Sequence, residues 1–72
     1  MNGKSRTELK RFRASKLLTQ EQVAKMLGYH RAHYATFENG KAEITLRFLQ
    51  ALQKAFGLTF DEAVAITKRD NE

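Results

Sequence analysis

His30, Arg31 and His33 carry most of the chemistry on offer in this 72-residue chain. A guanidinium such as that of Arg31 can donate two hydrogen bonds to the O6 and N7 edge of a guanine, or to a phosphate. His30 and His33 stand three residues apart, a spacing that can share a metal ion. The chain has no Cys, however, and the nearest acid in that stretch, Glu38, is expected to be paired already. No metal site is therefore assigned. No nucleophile–base pair, glycine-rich phosphate loop or pair of carboxylates can be assembled from spacing, so the sequence offers no catalytic constellation, cofactor motif or small-molecule site. What remains is the chemistry of contact.

Those residues must be presented by something rigid. From Gln20 to Gly40 the sequence QEQVAKMLGYHRAHYATFENG reads as two short helices and a tight turn. Val23, Ala24 and Leu27 give the first an apolar stripe at helical spacing, and Tyr34 and Phe37 give one to the second. Gly28 and Gly40 end them, glycine being the residue that enters the left-handed conformation at least cost. Helices this short do not persist alone, so both stripes must be buried against other elements. With Tyr34 and Phe37 inward, Arg31, Ala32, Ala35 and Thr36 point outward, with His30 and His33 at the margins. Two short helices joined by such a turn form a unit whose second helix can enter a DNA major groove.

The flanking elements are helical as well. Thr7 can cap a first helix that carries Leu9, Phe12 and Lys16 on one side, with Arg13 at its edge. Thr19-x-x-Gln22 is a capping box, and Leu18 with Val23 makes a hydrophobic staple across it. Tyr29 can staple onto Tyr34, and His30 occupies the cap position of the third helix, where Ser, Thr, Asp or Asn would cap better. Thr45 starts a fourth helix with Leu46, Leu49, Leu52 and Phe56 along one face and Gly57 closing it. Ile44 and Leu49 make another staple there. Thr59-x-x-Glu62 opens a fifth helix through Phe60, Ala63, Val64 and Ile66. Residues 1–6 and the final KRDNE carry no periodicity and are expected to fray, leaving an ordered core of about 7–67. The pattern is an all-α domain of five helices spanning 1–72, without strand pattern, repeat or linker.

A chain of this size is one domain that buries only roughly 60% of its unfolded surface, so helix packing and self-association are its available stabilisers. The absence of Cys fits a reducing compartment. No apolar run has the length of a membrane span, and MNGKSRTELK lacks a signal-peptide core. The expectation is a cytoplasmic protein. The net charge of +5 is unevenly spread: residues 1–16 hold six basic residues (Lys4, Arg6, Lys10, Arg11, Arg13, Lys16) against Glu8, whereas 17–40 and 41–72 each balance to zero. Such a cluster suits a polyanion; its plainer reading is a solvated basic face.

With LKRFRASKLLTQEQVAKMLG, the FENGK segment Phe37–Lys41 and TLRFLQALQKAFGLTFDE in place, the chain resembles the Cro/repressor (Xre) helix-turn-helix family from Leu9 to about Ala63 without a gap. The small Ala24, the turn Gly28 and the apolar Val23, Leu27, Tyr29, Tyr34 and Phe37 stand where that family wants them. It departs from the pattern at His30, usually Ser or Thr; at His33, commonly small and polar; and at Ile44, often Pro. The two histidines bear on which bases are read, not on the fold.

The resemblance implies a compact, lambda-repressor-like five-helix fold. It puts base contact on Arg31, Ala32 and Thr36, with His30 and His33 beside them, and backbone contact on Gln20, Asn39 and Lys41. It also implies a structural ion pair between Arg13 and Glu38. The function it implies is a sequence-specific DNA-binding regulator, most simply a Cro-like repressor acting as a homodimer on a pseudo-palindromic operator in double-stranded DNA. Restriction–modification controllers and antitoxins are subtypes, and a protein-interaction module on the same fold is the rival. The chain has no room for a separate sensing domain, and its pairing surface is expected at Leu58, Phe60, Val64 and Ile66.

Overall fold

Three threonines set the helix starts. In the computed structural model, which describes residues 4–71, Thr19 Oγ1 accepts from Gln22 N at 3.1 Å while Thr19 N donates to Gln22 Oε1 at 2.8 Å. Thr59 and Glu62 make the same reciprocal pair, and Thr45 Oγ1 accepts from Phe48 N. These bonds open α2 (Gln20–Leu27), α5 (Phe60–Ile66) and α4 (Leu46–Phe56); α1 spans Thr7–Ser15 and α3 Arg31–Glu38. All regular structure among the described residues is helical.

The core is Leu9 from α1, Val23, Ala24 and Leu27 from α2, Tyr34 and Phe37 from α3, Phe48 and Leu52 from α4, and Ala63 from α5. Phe48 is its centre. Its ring lies 4.3 Å from Phe37 and 5.7 Å from Tyr29, centroid to centroid, and is stacked at 6.3 Å on Tyr34. The stripe expected on α4 is thereby corrected: Phe48 is buried, whereas Leu46 is 61% exposed. At 100° per residue, the face that carries Phe48, Leu52 and Phe56 turns Leu46 well away from it. Tyr29 packs edge-on against Phe37 and His33.

The expected fraying is corrected too. Residues 1–3 lie outside the described residues, but Arg6 is only 2% exposed. Its Nε donates to Thr67 O (2.7 Å), and its Nη1 donates to both Phe37 O and Ala42 O (2.8 Å each). Thr7 does not cap α1; Arg6 holds the cap position without a side-chain bond. The acceptor comes instead from Asp70, whose carboxylate takes Thr7 N (2.9 Å) and Thr7 Oγ1 (2.5 Å). Those two bonds hold the Asp70 carboxyl below its usual range. Arg69 donates to Gly40 O and pairs with Glu43 at 2.9 Å. Local periodicity cannot reveal contacts made across some sixty residues of chain.

Candidate nucleic-acid interface

The outer surface of α3 depends on how its far end is anchored. Glu38, 1% exposed, ends the helix inside the protein and faces Arg13 of α1. Arg13 Nε donates to Glu38 Oε2 at 2.5 Å and Nη2 to Oε1 at 3.2 Å, the bidentate geometry that fixes orientation as well as charge. Nη1 of the same guanidinium holds Leu18 O at 2.9 Å. One side chain thus ties the α1–α2 turn to the end of α3. In that turn Leu17 takes φ 59°, a left-handed conformation that costs a leucine about 1–2 kcal/mol.

Gln20 completes the anchor. Its Nε2 donates to Glu38 Oε1 at 3.0 Å, so the first residue of α2 braces the last residue of α3. Burial alone would push the Glu38 carboxyl up; the hydrogen bonds from Arg13 and Gln20 and the arginine charge outweigh it and hold it below the usual carboxylate range. Glu38 in turn raises Arg13. The Tyr34 hydroxyl is buried close to Glu38 and Arg13, near enough to interact with both but not in good hydrogen-bond geometry with either. Burial first, then the nearby Glu38 carboxylate, push its pKa up and keep the phenol neutral.

At the other end of α3, His30 is the cap residue and makes no side-chain cap bond. His30, Arg31, Ala32 and His33 are exposed, with no acid in the first turn. Thr36 is half-buried and its hydroxyl donates to His33 O at 2.6 Å. His33, though exposed, also packs on the protein, its ring stacked on Phe37 at 5.1 Å and edge-on to Tyr29. The expected contact residues are therefore split: His30, Arg31 and Ala32 share an open face, while His33 and Thr36 are partly engaged by the protein.

Beyond α3 the chain turns through Asn39, Gly40 and Lys41. Lys41 N donates to Thr36 O (2.9 Å), with Asn39 Oδ1 also nearby as an acceptor at 3.3 Å. The side chains of both Asn39 and Lys41 belong to exposed residues.

Arg47, not foreseen from the sequence, lies at the start of α4 with its guanidinium 4.9 Å above the Tyr29 ring, next to Gly28. It adds a cation beside the α2–α3 turn; no local pattern marks it.

A short helix pair is thus braced by an internal ion pair, with the second helix open at its N-terminal half. A helix-turn-helix family model (HTH_3) matches residues 9–62. The chain belongs to the Xre-type helix-turn-helix family of DNA-binding regulators. No curated protein matches it significantly. Within this helix-turn-helix protein α2 is the bracing helix and α3 the one available to a groove.

The basic cluster of residues 1–16 is spent differently from its charge count. Arg6 and Arg13 are turned into the structure, Arg11 pairs with Glu8 at 3.2 Å, and Lys16 lies 5.3 Å over Phe12. Of the residues expected to pair two copies, Leu58 and Ile66 pack against the core and Val64 is half-buried. Phe60, 48% exposed, is left outside. Among the described residues no helix is long and apolar enough to cross a membrane, and no group of His, Asp and Glu is placed to hold a metal ion.

Proposed function

We propose that this regulator is a small cytoplasmic repressor of Cro type, binding a pseudo-palindromic operator as a homodimer and acting by occupancy. The observation that carries the reading is the open N-terminal half of α3, where Arg31 and Ala32 are exposed and the first turn holds no acid, while Glu38 fixes the opposite end. Arg31 reads a guanine edge, and Ala32 and the Thr36 methyl lie against a thymine methyl. His30 and His33 flank these contacts. Gln20 at the start of α2, and Asn39 and Lys41 after α3, meet the phosphate backbone.

One recognition helix spans too few base pairs for useful discrimination, so two copies act together. The Cα envelope measures 31 × 25 × 22 Å. Two bodies of this size are small enough to sit side by side with equivalent helices one turn of DNA apart, about 34–36 Å. The pairing surface lies around Phe60, with Leu58, Val64 and Ile66 behind it.

Affinity for duplex DNA tests this reading. Each phosphate contact contributes about −0.9 to the slope of log affinity against log salt, so a dimer making about six contacts should lose about 10³-fold between 50 and 200 mM. A flat salt response, or no binding at 50 mM, would overturn it in favour of a protein-interaction module.

A further inference from the structure

Residues 36–42 are closed into a loop by more than their own hydrogen bonds. Lys41 N and Ala42 N both donate to Thr36 O, and Gly40 N donates to Phe37 O. Outside the loop stands Arg6, with Nη1 bonded to Phe37 O at one side of the loop and to Ala42 O at the other. Its Nε holds Thr67 O, and its backbone N–H holds Glu38 O at 2.8 Å. Arg69 takes Gly40 O at 3.1 Å in the middle. The carbonyls at the end of α3 and in the loop, which a helix end leaves without intrahelical donors, are thus served by residues far away in sequence. The segments 4–7 and 67–70 are themselves joined by Thr7–Asp70 and by Asp70 N to Ser5 O at 2.8 Å.

We infer that Arg6 is a positioning residue for DNA binding: by bridging Phe37 O and Ala42 O it latches the loop that presents Asn39 and Lys41 to the phosphate backbone. The inference rests on the DNA-binding reading for its consequence, though not for the latch. Arg6 itself is buried, so its part is to position other residues. Its planar fork serves three carbonyls, two at the ends of the loop and one at Thr67, which a lysine ammonium, shorter and without the Nε donor, cannot do. Arg6→Lys keeps the charge and loses the latch. Lys41 then no longer has a fixed place from which to meet a phosphate.

The experiment combines amide exchange in the free protein with binding to a labelled random-sequence duplex. In Arg6→Lys, the Lys41 and Ala42 amides should exchange at least tenfold faster relative to the core amides of Leu27 and Leu52. Affinity at 50 mM salt should fall about fivefold, and the salt slope should become shallower by about one per protomer. Lys41→Ala should show a similar loss, and the double variant should bind no more weakly than the weaker single. A residue acting only through overall stability would accelerate loop and core amides alike and give multiplicative losses, and either result overturns the latch. Arg69→Ala, which releases Gly40 O, serves if Arg6→Lys fails to fold: it should accelerate the same loop amides, and unchanged exchange there overturns the inference. Faster loop exchange in a protein that binds no duplex would remove the DNA-binding reading and leave the latch standing.

Discussion

Arg13→Ala should destabilise the domain by about 3–5 kcal/mol, the cost of leaving a buried carboxylate without its charge partner. A 72-residue helical domain has little more than that to lose. The pH response should also change sign. In the parent protein Glu38 is held below its unfolded value, so its contribution is complete above the ordinary carboxylate range and disappears as pH falls through the lower folded value. Without Arg13 the burial of Glu38 dominates, its carboxyl rises above the unfolded value, and protonation favours the folded form. The variant should therefore gain stability as pH falls from 7 to 5, where the parent gains none. Urea unfolding at the two pH values measures both effects. A loss below 1 kcal/mol, or parallel pH profiles, would show that Arg13 does not govern Glu38.

Gly40→Ala should cost at least about 3 kcal/mol, where Gly57→Ala costs about 1–2. Both glycines take positive φ, 80° and 67°, so both substitutions bear the left-handed penalty. They differ in what the new methyl meets. At Gly57 nothing lies within 4 Å, whereas at Gly40 it would stand 1.6 Å from Lys4 O and 2.4 Å from Lys4 C. The obstacle is backbone and cannot rotate aside. The strand of chain at 4–6 must lift, and with it goes the bond from Arg6 N to Glu38 O. At roughly 4–8 °C per kcal/mol for a domain of this size, the two substitutions should separate clearly by thermal melting. Equal losses would mean that residues 4–6 do not pack on Gly40 in solution.

Helix starts were legible because their signals are local. Thr19 with Gln22, Thr45 with Phe48 N, and Thr59 with Glu62 each act within three residues of chain, and all three are formed. The turn at Gly28 and the inward faces of α2 and α3 were legible for the same reason. Charge was not. Counting six bases in residues 1–16 treats each as solvated, yet Arg6 reaches Thr67 across 61 positions. Arginines are seldom fully buried, so only the fold itself could show that one of them closes the loop after α3. Phe48 was missed for a different reason: four leucines and phenylalanines near it made an apolar stripe that ran one face too far, to Leu46.

At the candidate interface, the exposure of Arg31 and Ala32 followed from helical periodicity, because Tyr34 and Phe37 had only one way to face. The ring contacts of His33 did not, since they depend on Tyr29 being drawn to Phe37. Arg47 stands beside the turn only because α4 packs against α2 there.

The most direct test of the DNA-reading face is enrichment of random duplexes on the purified protein, repeated with Arg31→Ala and Lys41→Ala. The parent should enrich an inverted repeat with half-sites about 10–10.5 base pairs apart, centre to centre. Arg31→Ala should lose preference at one position in each half-site, worth about 1–3 kcal/mol on the preferred sequence, while Lys41→Ala weakens all sequences alike. No enriched sequence from the parent, or the same motif at the same strength from Arg31→Ala, would contradict the account.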